Sequence, residues 1–431
     1  DKEPSTEKLK EERKYRKATY QIVGNSQTEE ERFVTIALSK MVGFDGILLF
    51  GTMRSMWEEV YEAYREYQNQ KKNEAYHRSL IHQTSKAGFE SKLDPELLQG
   101  VSEMLGGLSQ AVPIYYGLNE KELNDNFGIF LKSIVDTIIK SSSEVKEKII
   151  IDVDITHSFR SLPLFAITVI NYLTQVREFD VNLGTIYYGN VDISRETGNI
   201  SYIVELKPVQ DMLKWTNALN DFQRNGNGDF LSKLLRGENQ DKSAELIDRF
   251  TQAFQINFSK GIRENIKKLD EVDFEQLSLP ATLSVKPVIN NFKKTFSDIV
   301  DKKEYWYYLK MAEWQFNNFN YGMTIINAAE SLVVFSGIIN NYDIYNEKYD
   351  IRKREQEKAK EYWHDLSKER RLSRDEPAEI YKDLSTKRNR IAHPSSELKI
   401  HIANFFENLS GQLENIKETF LNYDHYGIKP N

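Results

Sequence analysis

No cysteine occurs among the 431 residues. That absence removes disulfides, thiolate nucleophiles, zinc ribbons and iron–sulfur clusters together, and it makes a reducing, cytoplasmic setting the default expectation. Positive charge is not in excess either: 58 Lys and Arg stand against 65 Asp and Glu, for a net charge of −7. A protein that coats nucleic acid nonspecifically needs clustered positive charge, so that class is excluded, whereas a local basic groove is not. Long hydrophobic runs are scarce. Gly46–Phe50 and Lys148–Ile151 are strand-length, and no stretch is read as approaching the roughly 18 apolar residues of a membrane helix, so no membrane partner is expected. The opening DKEPSTEKLKEERKYRK is charged and lacks the apolar core of a signal peptide. What remains is an ordinary globular balance, 40% hydrophobic and 29% charged, in a chain long enough for two or three domains.

Residues 1–206 alternate short apolar runs with longer amphipathic stretches. Helical periodicity runs through Thr28–Met41, with Phe33, Ile36, Ala37 and Met41 on one face. Strands are expected at Gly46–Phe50, Val112–Tyr116, Lys148–Ile155 and Val181–Tyr188, and helices at Ser55–Tyr67, Asp94–Leu105, Glu120–Ile139 and Pro163–Gln175. Arg195–Leu206 reads as a hairpin turning at Thr197-Gly198-Asn199. Strands separated by helices predict a parallel, Rossmann-like α/β sheet. From 207 to 431 no strand alternation remains. Amphipathic stretches at Lys207–Asp221, Phe230–Leu235, Ser243–Phe254, Phe258–Leu269, Val288–Asp301, Tyr305–Phe316, Tyr321–Asn340, Ile380–Ala392 and Ile402–Tyr423 predict an all-α half. The Lys-, Arg- and Glu-rich Asn346–Glu376 reads as a solvated helix or a mobile insertion.

Three segments carry candidate chemistry. Gly51-Thr-Met-Arg-Ser-Met-Trp57 follows a strand and opens a helix, where free N–H groups and small hydroxyls such as Thr52 and Ser55 suit phosphate or ribose oxygens. Ser55 with Glu58 also fits a capping box, and a plain helix cap accounts for the segment equally well. It has neither the GxGxxG nor the Walker spacing. Asp152-Val-Asp-Ile-Thr-His-Ser-Phe-Arg-Ser-Leu-Pro163 crowds Thr156, His157, Ser158, Arg160 and Ser161 into the turn after a strand, a density of polar groups that core packing does not explain. Asp152 and Asp154 are two apart and share a strand face; they are weak metal ligands, and one of them is expected to orient the Thr–His turn. Lys387-Arg-Asn-Arg-Ile-Ala-His-Pro394 places Asn389 and His393 four apart on one helix face, with Pro394 stopping the helix. His393 as general acid or base near a 2′-hydroxyl, with Arg388 stabilising charge on the phosphorane, is a set that cleaves RNA without metal. A helix C-cap with cations near its carbonyls is the competing structural reading. The histidines at 77, 82, 364, 401 and 425 need only surface or capping roles.

Together the three segments resemble the CARF–HEPN ribonucleases of type III CRISPR systems, in the branch with a DxTHG motif. Gly51–Trp57 followed by Glu58-Glu-Val-Tyr61 is similar to that branch's first turn and helix. Asp154-Ile-Thr-His-Ser-Phe-Arg-Ser-Leu-Pro163 resembles its signature turn, with Ser158 in place of the glycine. Arg388-Asn-Arg-Ile-Ala-His393 matches the HEPN Arg-x4–6-His pattern. The resemblance implies a Rossmann-like CARF domain over 1–206, followed by a helical linker region and HEPN domain over 207–431. It implies a cyclic-oligoadenylate activator held by Gly51, Thr52, Met53, Arg54, Ser55, Trp57, Asp154, Thr156, His157, Ser158, Arg160 and Ser161, with a ring of four adenylates favoured over six. It further implies single-stranded RNA as substrate, Arg388, Asn389 and His393 as the cleaving set, no metal or cofactor, 2′,3′-cyclic phosphate products, and a homodimer or a higher oligomer of it. The family also leads one to expect a further strand before Tyr20, upstream of Asp1. The alternatives are a sensor whose helical half only dimerises, a CARF half that cuts its own activator through Thr156, His157 or Ser55, and, more remotely, a small-molecule Rossmann enzyme with a helical lid.

Overall fold

The computed structural model describes residues 15–142, 148–157, 162–176, 180–191, 194, 196–272, 277–300, 303–369, 373–374, 376–392 and 408–430. By internal contacts the chain divides into two units, Asp1–Leu213 and Lys214–Asn431.

The first unit is α/β. Its elements in chain order are β1 (Ala18–Ile22), β2 (Thr28–Glu31), α1 (Val34–Met41), β3 (Leu48–Thr52), α2 (Trp57–Tyr67), α3 (Glu74–Lys86), α4 (Gln99–Leu105), β4 (Gln110–Ile114), α5 (Glu120–Ser142), β5 (Ile149–Asp154), α6 (Leu162–Gln175), β6 (Val181–Asn190) and β7 (Ile200–Glu205). Five strands form a sheet in the order β2-β1-β7-β6-β5, and β3 and β4 form a separate parallel pair. The sheet is mixed rather than purely parallel. β1–β7 and β5–β6 run parallel, while β1–β2 and β6–β7 are antiparallel. The hairpin is therefore wider than the sequence suggests: its first arm is β6 itself, with Tyr187 opposite Glu205, and Gly198 and Asn199 turn it at φ +70° and +66°.

Two elements depart from the periodic reading. Thr28–Glu31 is an edge strand rather than the start of a helix; its Glu29–Glu31 run alternates exposed and half-buried positions against β1. Helix α3 escaped notice because its inner face, His77, Leu80, Ile81 and Thr84, mixes polar with apolar residues. His77 is accordingly buried, its ring tilted against that of Tyr61 at 5.9 Å between centroids, and it is not a surface histidine. On α6, Leu164, Thr168 and Tyr172 recur at one-turn spacing and are exposed, as is Ile150 on the edge strand β5.

The second helical run begins with α7 (Lys207–Asn225), which crosses the division between the units. It continues with α8 (Asp229–Gly237), α9 (Asp241–Gln255), α10 (Ser259–Lys268), α11 (Leu279–Val300), α12 (Glu304–Asn317), α13 (Tyr321–Ile339), α14 (Tyr349–Glu369), α15 (Pro377–Ala392) and α16 (Leu409–Tyr426). Helix α11 starts nine residues before the expected Val288 and carries Pro287 inside it. Ala281, Val285, Ile289, Phe292 and Phe296 form one buried stripe across the proline, and that burial outweighs the lost backbone bond. Residues 402–407 of the expected last helix lie outside the described residues.

Helix α13 corrects the expectation about long apolar runs. By length and composition it could span a membrane, but 72% of its most apolar window is buried inside the protein. It is the central helix of a core that also holds Trp363 and Ala359 of α14. Within the charged segment 346–376, helix α14 is thus not merely solvated. One face of α14 is core, and the Trp363 indole donates to Leu332 O at 2.9 Å.

Asp424 of α16 fastens the start of α12. It accepts hydrogen bonds from Lys303 Nζ, Tyr305 Oη and Trp306 Nε1 at 2.8, 2.5 and 2.7 Å. Burial alone would raise its pKa, but the bonds from Lys303, Trp306 and Tyr305 prevail and hold the carboxyl below the ordinary carboxylate range. A depressed folded-state pKa stabilises above the unfolded value and is lost as pH falls through the folded one. The difference in urea midpoint between wild type and Asp424→Asn should therefore be full at pH 7 and close below about pH 4.

Candidate functional site

The first turn is built by Trp57. Helix α2 begins there, after Met56 and without a side-chain cap, so the expected capping box does not form. Ser55 Oγ lies instead 3.3 Å from Thr52 Oγ1, and Glu58 accepts from Thr84 Oγ1 at 3.1 Å. The cause is the indole: Trp57 is 1% exposed, and its Nε1 donates to Thr52 O at 2.8 Å. A Cβ on Gly51 would stand 2.8 Å from Trp57 Cζ2 and 2.9 Å from Ser55 Oγ, so glycine at the strand end lets the ring close over it. Met53 joins Trp57 in a core with Phe33, Val60, Tyr61 and Tyr64. Of the side chains expected to meet a ligand here, those of Thr52, Met53 and Trp57 are buried, Ser55 is half-buried and Arg54 is exposed.

The second turn follows β5, and Asp154 orients it. Asp154 Oδ1 accepts from Thr156 N at 3.0 Å and from Thr156 Oγ1 at 2.6 Å. The same hydroxyl accepts from Gly189 N of β6 at 2.7 Å, so it is used as donor and acceptor at once. Asp152 has a different task, accepting from Thr185 N on β6 and so locking the register of the two strands. Burial pushes the Asp154 carboxyl above the ordinary range, opposed by the Thr156 bonds and by His157. Desolvation lowers the His157 pKa, opposed by Asp154. His157 reaches the surface with its ring edge-on to Tyr15, 5.7 Å between centroids, and to Phe33, 6.2 Å. Phe33 also belongs to the core under the first turn, so the two turns share a neighbour. Tyr20, pushed up to about 12 by burial and by Asp154, and Tyr64, also raised, complete an aromatic wall around the carboxylate. Sequence reading missed this wall; aromatic residues at positions 15 and 20 of an otherwise charged opening were the available signal. Ser158, Arg160 and Ser161 lie outside the described residues.

In the second unit, α15 carries Lys387, Arg388 and Asn389. Lys387 is buried and pairs with Asp383 one turn earlier at 2.7 Å, and Gln412 of α16 donates to the same carboxylate at 2.9 Å. Arg388 is half-buried and Asn389 exposed. Arg388 faces Glu330 of α13 and Tyr381. Burial raises the Glu330 carboxyl, opposed by Arg388 and Lys360, and burial pushes Tyr381 up to about 12, again opposed by Arg388. His364 stands edge-on to Tyr381, 5.4 Å between centroids, so it is not simply a surface residue. His393 and Pro394 lie outside the described residues, and with them the expected pairing of Asn389 and His393 on one face. Among the described residues no group of three or more His, Asp and Glu side chains converges as a metal site needs.

Residues 9–192 match the family profile of the CARF domain of the CRISPR system endoribonuclease Csx1. Residues 211–303 match that of the second domain of CRISPR-associated protein MJ1674. The CRISPR-associated protein MJ1674 of Methanocaldococcus jannaschii is 28% identical over 403 residues, which cover 88% of this chain and 59% of that relative. The chain thus spans under two thirds of the relative's length. The α/β first unit and the helical remainder agree with the fold class expected from the sequence. On these matches the chain is a CRISPR-associated protein that contains a CARF domain.

Proposed function

We propose that the chain is an endoribonuclease of CRISPR defence that cuts single-stranded RNA, without metal, when a cyclic oligoadenylate binds its CARF domain. The observation that carries this reading is the match of residues 9–192 to the CARF domain of an endoribonuclease, in a chain that also sets Arg388 near the end of α15, five residues before His393.

The activator lies against the turns after β3 and β5. There Arg54 and Ser55 supply a cation and a hydroxyl, Thr156 is held in place by Asp154, and the imidazole of His157 follows it. A ring of four adenylates is favoured over six on the Asp154–Ser158 resemblance, and its two-fold symmetry suits two copies of the turns. Exposed Leu164, Tyr172 and Ile150 offer apolar surface for such pairing. Each protomer then contributes Arg388, Asn389 and His393 to one cleft. The 2′-oxygen of the substrate attacks the adjacent phosphorus and the 5′-oxygen leaves. His393 moves the proton, Arg388 balances the charge on the phosphorane and Asn389 positions the phosphate. Products carry 2′,3′-cyclic phosphate and 5′-hydroxyl ends.

The test is a fluorogenic single-stranded RNA with EDTA present, run against rings of three to six adenylates. Cleavage with one ring size, unaffected by EDTA and leaving cyclic phosphate ends, is the expected result. Tight activator binding without cleavage would leave the sensor reading in its place.

A further inference from the structure

A groove in the helical unit has a composition that none of the foregoing chemistry uses. Three helices each present one face to it: Asn220, Gln223 and Arg224 from α7, Asn291, Phe292 and Thr295 from α11, Trp314 and Asn318 from α12. Its volume is about 380 Å³, within the range of small-ligand sites. The floor is aromatic and stiff. The Trp314 indole is edge-on to Phe254 and Phe292, at 5.0 and 6.0 Å between centroids, with Phe296 also at 6.0 Å. The rim is polar. Thr295 and Asn318 bond back to their own helices, to Asn291 O and Trp314 O. Among the described residues, the side chains of Asn220, Gln223, Arg224 and Asn291 and the Trp314 Nε1 have no hydrogen-bond or ion-pair partner.

A second observation lies beside it. Phe319, next to Asn318, has φ +59° and is 78% exposed. It ends α12 as the left-handed residue of a Schellman cap, with Asn320 N donating to Gln315 O at 2.8 Å and Phe319 N to Phe316 O at 3.0 Å. A bulky side chain is disfavoured in that conformation. At the other six described positive-φ positions outside glycine, the residue is Asn: 69, 199, 239, 257, 341 and 408. Among the described residues only position 319 holds a large ring in this backbone conformation, and the ring is exposed to solvent one residue beyond Asn318, which lines the groove. Strain of this kind persists where a site uses it.

We propose that this groove binds a nucleotide stretch of single-stranded RNA, as a substrate-holding site distinct from Arg388 and His393. Phe319 and Trp314 offer aromatic surface to bases, as single-strand binders do. The amides of Asn220, Gln223 and Asn291 each carry a donor and an acceptor for base edges. Arg224 takes a phosphate. Rim charge is a single cation, so stacking and amide contacts, not bulk attraction, select the ligand; this agrees with the net charge of −7. The inference rests on the ribonuclease reading for the identity of the ligand.

The test uses the full chain, without activator, and a fluorescein-labelled 16-nucleotide 2′-fluoro RNA that lacks the attacking hydroxyl, read by fluorescence polarisation. The Asn220→Ala/Asn291→Ala variant should weaken binding about tenfold or more. Arg224→Ala should reduce the slope of log affinity against log salt by about 0.7. Phe319→Gly separates function from fold: it relieves the left-handed strain and should raise Tm by about 2–4 °C while weakening RNA about tenfold. Unchanged affinity in these variants, or no RNA binding by the wild type, overturns the proposal. Because affinity is read without turnover, failure of the ribonuclease reading registers separately, as absence of cleavage under every activator.

Discussion

Replacing His393 by alanine is expected to lower activator-stimulated RNA cleavage by about 10³-fold while leaving activator affinity unchanged. Proton transfer by a placed side chain contributes about 10²–10⁴-fold, and no other imidazole is paired with an arginine at that spacing. Arg388→Ala should cost about 10²–10³-fold, because it removes charge stabilisation of the phosphorane and leaves proton transfer intact. Both variants are to be read under single turnover, with the activator saturating, so that binding and chemistry separate. Arg388 has a further consequence for its variant. Its guanidinium offsets the buried Glu330 carboxyl of α13, and Arg388→Ala leaves that group with Lys360 as its remaining opposing cation. A modest loss of stability should therefore accompany Arg388→Ala but not His393→Ala. Undiminished cleavage by His393→Ala would remove the assignment of the cleaving set.

Much of the first unit was legible because its strands are short apolar runs that end at polar turns. β3, β4, β5 and β6 fall where such runs occur, and the expectation that a carboxylate orients the Thr–His turn is met by Asp154. What escaped has physical causes. β2 is a Thr-Glu-Glu-Glu edge strand whose partner, not its composition, makes it extended. The spacing of Ser55 and Glu58 fits a cap as one of two readings, but the burial of Trp57 moves the helix start past it. The expected helix begins at Val288, after Pro287, and only the buried stripe on both sides of the proline shows that it starts earlier. The RNA groove proposed in the helical unit could not be read at all. Asn220, Asn291 and Trp314 are far apart in the chain and converge only through the packing of three helices. Periodicity reports which face of a helix is buried; it does not report which exposed faces meet.

Trp363→Ala is expected to be the most destabilising single substitution in the helical unit, by about 3–5 kcal/mol, a large share of the usual 5–15 kcal/mol of a domain. Trp363 is fully buried in α14, at the junction with α13 and α15. Its ring lies 5.0 Å from that of Tyr362 and 6.4 Å from those of Phe335 and Tyr381. Truncation leaves a cavity that helices on both sides cannot easily fill, and it withdraws the indole bond to Leu332 O. Trp363→Phe keeps most of the volume and should cost only about 1–2 kcal/mol. The functional consequence follows from what the junction holds: α13 carries Glu330 and α15 carries Arg388, so loosening α14 frees the two to drift apart. RNA cleavage by Trp363→Ala should fail at a lower temperature than in the wild type. Activator binding should persist there, because the CARF unit packs its own cores around Trp57, Phe130 and Tyr20. Thermal unfolding followed by far-UV circular dichroism, with activator affinity measured by calorimetry at the same temperatures, checks both halves. Loss of the two activities at one common temperature would show instead that the units unfold together.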